Sequence, residues 1–157
     1  MYLEVLANYS TYILLAFSLF VLRENPIYSF VFLVGYMLNS LLNIVLKYIF
    51  FQTIPSIDKE KFYTELKYKY NNNILSVGPS LLDIPSGHLQ VFFYIIFFIF
   101  HFPLSKLDYF VYFSLMALSF YFIYVKQYHS LTSCITGAVI GSVMGYYFYQ
   151  IAKKRIK

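Results

Sequence analysis

Pro85-Ser86-Gly87-His88-Leu89-Gln90-Val91-Phe92-Phe93-Tyr94-Ile95-Ile96-Phe97-Phe98 carries the chain from a polar segment straight into an apolar one. Each of its first residues suits the start of a helix that meets a phosphate ester. Proline can open a helix, because its missing N–H would be an orphan there anyway. Serine and glycine leave backbone N–H groups exposed at the positive end of the helix, where an anion is stabilised. A histidine one step further is a natural proton donor to a leaving oxygen near neutral pH. Four residues are a short motif, so its meaning rests on the sequence around it.

That sequence is membrane-like. Of 157 residues, 60% are hydrophobic, 23% aromatic and only 12% charged. A soluble domain of this length needs far more surface charge, so the composition points to an integral, multi-pass membrane protein folded as a single domain over residues 1–157. No positively charged leader followed by a small-residue cleavage site is present, and the first apolar stretch reads as a retained span. The lone Cys134 excludes an intrachain disulfide and reads as a buried small residue. The net charge of +5 comes largely from the tail Lys153-Lys154-Arg155-Ile156-Lys157. Basic residues just after a span act as a topology anchor rather than a nucleic-acid site.

Apolar runs predict an all-α bundle of about five transmembrane spans, near residues 5–22, 27–50, 85–102, 109–125 and 131–152. The third reaches roughly 27 Å when counted from Pro85. A polar loop, about 52–84, separates the second and third. Five spans put the termini on opposite faces. The loop, Lys47, His88, Lys126 and His129 then share the N-terminal face, and His101 falls on the other as a structural residue. Positive residues cluster closest to span ends on the tail face. That face is expected to be cytoplasmic and the motif face lumenal or external.

Three segments converge on the motif face: the end of span two with Lys47, the Pro85–His88 tetrapeptide, and the link between spans four and five with Lys126 and His129. Two lysines and two histidines there supply cations for oxyanions and imidazoles for nucleophile and acid. Taken in order, these segments resemble the type-2 phosphatidic acid phosphatase and vanadium haloperoxidase superfamily. That family is marked by Lys-x6-Arg-Pro, then Pro-Ser-Gly-His, then Ser-Arg-x5-His-x3-Asp. The resemblance covers roughly residues 43–144. The Asn-x-Val-Leu-Lys opening at Asn43 and the lack of the last aspartate are similar to the dolichyl-diphosphatase-like branch.

The resemblance implies a role for each matching residue. Lys47 corresponds to the phosphate-binding lysine, Ser86 and Gly87 to the phosphate cradle, His88 to the general acid and His129 to a nucleophile that forms a phosphohistidine. It implies hydrolysis without a metal or other cofactor, and the spacing of His88 and His129 offers no carboxylate or thiol partner for a metal site. Three positions depart from the family. Ile54 and Ile123 stand where it has arginines, and Ser133 where it has the aspartate that orients the nucleophile. Each lost arginine removes charge-assisted bonds worth about 1.5–3 kcal/mol apiece. Lys126 is either an ordinary interfacial cation or a point-charge substitute for the arginine at 123.

Other residues have simpler readings. Asn39 and Asn43, one turn apart, are expected to hydrogen-bond to neighbouring helices. Gly137, Gly141 and Gly145 form a small-residue stripe for close helix packing, either within the bundle or between protomers of a homo-oligomer. The expected function is hydrolysis of a lipid phosphate or polyprenyl diphosphate by a membrane lipid phosphatase. The alternative is a catalytically inactive relative that binds lipid or pairs with a partner protein. Membrane lipid is the expected surrounding, and nucleic acid is not an expected partner.

Overall fold

The computed structural model describes residues 2–53, 84–125 and 131–155. Among them are five helices and no strand: α1 (Tyr2–Val21), α2 (Pro26–Thr53), α3 (Gly87–Ile99), α4 (Lys106–Val125) and α5 (Leu131–Arg155). The fold class is therefore the all-α bundle that the apolar runs predict. Most of the polar loop, about 52–84, lies outside the described residues.

Local chemistry sets the helix boundaries. Pro26 occupies the first position of α2, where it sacrifices no hydrogen bond. The tight link from α1 is closed by Asn25 N–H to the Leu22 carbonyl (2.8 Å) and by Ser29 Oγ to the same carbonyl (2.8 Å). At the start of α4, Ser105 N–H donates to Asp108 Oδ2 (2.7 Å) and Asp108 N–H to Ser105 Oγ (3.2 Å). This reciprocal pair satisfies two donors that a helix start otherwise leaves unbonded.

Beyond its first turn, helix α3 is apolar around its whole circumference, and such a helix belongs in the middle of a bundle. Phe92, Tyr94, Ile95, Phe98 and Ile99 are fully enclosed. Its length corrects the sequence expectation. Pro85 stays outside the helix, Ser86 is the N-cap, and the chain turns away after Ile99. The remaining 13 residues rise about 20 Å, short of a bilayer core of about 30 Å. Among the described residues two helices are long and apolar enough to cross a membrane: the Pro26–Ile49 stretch of α2, and α5. Both turn apolar stripes outward, with Phe30, Met37, Leu41 and Ile44 exposed on α2 and Ile135, Val139, Val143 and Tyr147 on α5.

The closest packing is that of α5 on α3. A Cβ at Gly137 would fall 2.5 Å from the Ser86 carbonyl oxygen, and one at Gly141 or Gly145 would overlap the carbonyl oxygen of Gln90 or Tyr94. The pairs 137/86, 141/90 and 145/94 advance together, so α5 runs parallel to α3. Helix α2 runs antiparallel on another side: Asn43, late in α2, meets Pro85 and Gln90, while the early Phe32 carbonyl accepts from Tyr94 Oη (2.7 Å). Helix α1 pairs with α4, also antiparallel, through Ser10 with Ser119 and Ser18 with Tyr112. These directions bring the end of α2 and the starts of α3 and α5 to one end of the bundle.

The glycine stripe is thereby occupied within the chain. All three glycines are buried under α3, so of the two alternatives for the stripe the structure shows close packing within the bundle, and the glycines offer no open face to a second protomer. At the opposite end of the bundle, His101 stacks on Tyr149 with ring centroids 3.9 Å apart. Phe102 meets Tyr28 edge-on at 4.7 Å. His101 is part of that aromatic cluster and far from the start of α3.

Because the neighbour at Gly141 is backbone rather than a movable side chain, Gly141→Ala is expected to cost about 1–3 kcal/mol through overpacking. Val139→Ala, on the exposed face, should stay within about 0.5 kcal/mol. Thermal unfolding of the two variants in the same detergent checks the contrast.

Candidate active site

Three elements meet where α3 begins. The Asn43 carboxamide of α2 donates to the Pro85 carbonyl (3.2 Å) and to Gln90 Oε1 (2.8 Å). The Ser86 N–H donates to the Ser133 carbonyl in the first turn of α5 (3.1 Å). The Gln90 N–H bonds back to the Ser86 carbonyl (3.0 Å) and closes the first turn of α3. The amides of Gly87, His88 and Leu89 precede that first intrahelical bond, and together they form the positive end of the helix.

Ser86 is the informative residue. Its backbone is extended (φ −64°, ψ 115°), as an N-cap requires, yet its side chain makes no capping bond. The hydroxyl is fully buried and has no hydrogen-bond partner. At the start of α4, by contrast, the Ser105 hydroxyl is spent on its own helix. An unbonded buried hydroxyl costs about 1–3 kcal/mol.

Lys47 adds charge to the same end. It lies one turn beyond Asn43 on the buried stripe Asn39–Asn43–Lys47 of α2, and it is only 2% exposed. A lysine is rarely so enclosed unless paired. A buried cation and a helix N-terminus both favour an anion. His88, the second residue of α3, is half-buried at this end. Gly87 brings the helix start close to α2, because a Cβ there would lie 3.2 Å from Asn43 Oδ1.

The structure thus places Lys47, Ser86, Gly87 and His88 at one end of the bundle. His129, Lys126 and Ile54 lie outside the described residues. Ile123 falls in the last turn of α4. Ser133, where the resembled family has an aspartate, is buried and uses its carbonyl to hold Ser86. Asn39 and Asn43 bond between helices as expected, but their partner, Gln90, was not singled out from the sequence. Its signal was available as a lone amide inside an otherwise apolar helix. Among the described residues no cluster of three His, Cys, Asp or Glu side chains could hold a metal.

The family model of the PAP2 superfamily matches residues 28–157, and the chain belongs to that superfamily. Membership points to phosphatase chemistry on phosphate esters, often those of lipids. No curated protein and no solved structure gives a significant match.

The two N-cap serines should respond oppositely to truncation. Ser105→Ala is expected to lose about 1 kcal/mol with its cap. Ser86→Ala should be neutral or slightly stabilising, because it removes a buried group that has no partner. Parallel melting curves without phosphate decide it.

Proposed function

We propose that this protein is a multi-pass membrane phosphatase that hydrolyses a lipid phosphate or a polyprenyl diphosphate through a phosphohistidine. The observation that carries the reading is the buried Ser86 hydroxyl, left unbonded at the N-terminus of α3 beside the enclosed Lys47. A phosphoryl group seated there would accept from the Ser86 hydroxyl and the first-turn amides, with Lys47 balancing its charge. Family membership and the apolar outer stripes of α2 and α5 support a lipid substrate.

In this mechanism an imidazole nitrogen of His129 attacks phosphorus as the bond to the leaving oxygen breaks. His88 gives that oxygen its proton. Water then attacks the phosphohistidine, with His88 as base, releasing phosphate and restoring His129. Lys126 supplies a point charge in place of the family arginine, though without its planar fork. The basic end of α5, Lys153-Lys154-Arg155, keeps the opposite end cytoplasmic and the site lumenal or external. The Asn43-to-Lys47 segment favours the dolichyl-diphosphatase-like branch and hence a polyprenyl substrate.

A second reading has its own observation. Ser133 replaces the carboxylate that would orient the nucleophile, and isoleucines replace both arginines. On that reading the fold binds lipid phosphate or a partner protein without cleaving. Phosphate release from a panel of lipid phosphates by purified protein, beside His129→Ala and His88→Ala, separates the two. The phosphatase should lose at least about 10²-fold in rate in either variant. Equal background from wild type and His129→Ala, with lipid binding intact, would establish the inactive relative. Ile54→Arg with Ile123→Arg should raise turnover if the site is merely weakened.

A further inference from the structure

Asn43 spends both protons of its carboxamide on the start of α3. One goes to the Pro85 carbonyl (3.2 Å) and the other to Gln90 Oε1 (2.8 Å). Its oxygen stands 3.2 Å from where a Cβ would sit on Gly87. A single side chain therefore touches the residue before the N-cap, the first helical residue and the fourth. Its orientation is settled by chemistry, because both acceptors are oxygens and only the nitrogen can donate. Gln90 is anchored in turn, with its Nε2 donating to the Asn39 carbonyl (2.8 Å) and to Asn39 Oδ1 (3.0 Å). The network is enclosed: Asn39 and Gln90 are fully buried and Asn43 is 9% exposed. Lys47 follows one turn later on the same face of α2.

From this geometry we infer that Asn43 is a positioning residue, with Gln90 as its anchor. Together they form an amide clamp that fixes the phosphate-cradling start of α3 relative to the turn of α2 carrying Lys47. The two elements are far apart in sequence, and apolar contact between them sets no direction. A hydrogen-bonded clamp does, because a shift of one ångström breaks it. The same contact explains why residue 87 must be small: a methyl there would press on an amide that cannot swing away. The inference deepens the phosphatase reading for its kinetic consequence, but its structural consequence stands apart from that reading.

The test uses the full chain in detergent and compares Asn43→Leu, Gln90→Met and Tyr94→Phe. The last removes another buried α2–α3 hydrogen bond, that of Tyr94 Oη to the Phe32 carbonyl, two turns below the site. Amide hydrogen exchange at Ser86 and Gln90, whose N–H groups are bonded at this helix start, is expected to accelerate at least tenfold in Asn43→Leu, less in Gln90→Met and not in Tyr94→Phe. The kcat for a lipid phosphate should fall about 10–100-fold in Asn43→Leu and stay within about twofold in Tyr94→Phe. Should Asn43→Leu fail to fold, the contrast between Gln90→Met and Tyr94→Phe carries the same decision. Unchanged exchange at Ser86 and Gln90 in the clamp variants, or equal acceleration in Tyr94→Phe, would overturn the clamp. A wild-type protein that releases no phosphate would instead sink the phosphatase reading, and exchange would still decide the clamp.

Discussion

With no Cβ at Gly137, Gly141 and Gly145, the backbone of α5 lies directly on the carbonyl oxygens of Ser86, Gln90 and Tyr94. Flexible apolar side chains can repack and so tolerate some sliding between two helices. A glycine groove against backbone does not, because a displacement along the axis drives a neighbouring side chain into a carbonyl. This contact parks Ser133 where its carbonyl takes the Ser86 N–H. It also covers one side of α3 so completely that α2 must pack on another. The candidate site forms at one end because three helix ends are held there by that register.

The interior of this bundle is polar in a graded way. Near the aromatic end, α2 meets α3 through rings, with Phe32 against Tyr94 and Phe98. Toward the start of α3 the same face turns to Asn39, Asn43 and Lys47. Buried amides are tolerable when their bonds are made, and Asn43 and Gln90 make theirs. Ser86 Oγ and Asn39 Nδ2 do not. Unsatisfied polar atoms are costly, and they tend to survive where a ligand completes them. The Ser86 hydroxyl lies at the helix start and matches that pattern. Asn39 Nδ2 lies about a turn deeper than Asn43, and no ligand is assigned to it.

The contrast between two serine N-caps shows how the fold separates stability from function. Ser105 and Asp108 close their helix with each other, and α4 needs nothing further there. Ser86 occupies the equivalent position yet its hydroxyl makes no bond to its own helix, while its N–H is taken by α5. Helix propensity alone would predict the same cap at both. Pro85 and Ser86 are held from outside by Asn43 and Ser133 in the extended backbone usual for an N-cap, so the missing bond is a matter of the Ser86 side chain alone.

Sequence alone determined the helical class, the approximate ends of α1, α2, α4 and α5, the family, and the gathering of Lys47 and Pro85–His88 at one end. These follow from patterns that are local or strictly ordered: apolar runs, charge at their ends, and motifs in a fixed succession. It also showed that Asn39 and Asn43 must find partners, since a polar group in an apolar run needs one. It could not show that the partner is Gln90, that the glycine stripe faces α3 rather than a second protomer, or that α3 is a short buried helix. Composition reads the same for a helix in lipid as for one surrounded by other helices, because both surroundings are apolar. Only the tertiary structure decided which neighbour each face meets, and with that whether the Ser86 hydroxyl caps its helix or is left unbonded.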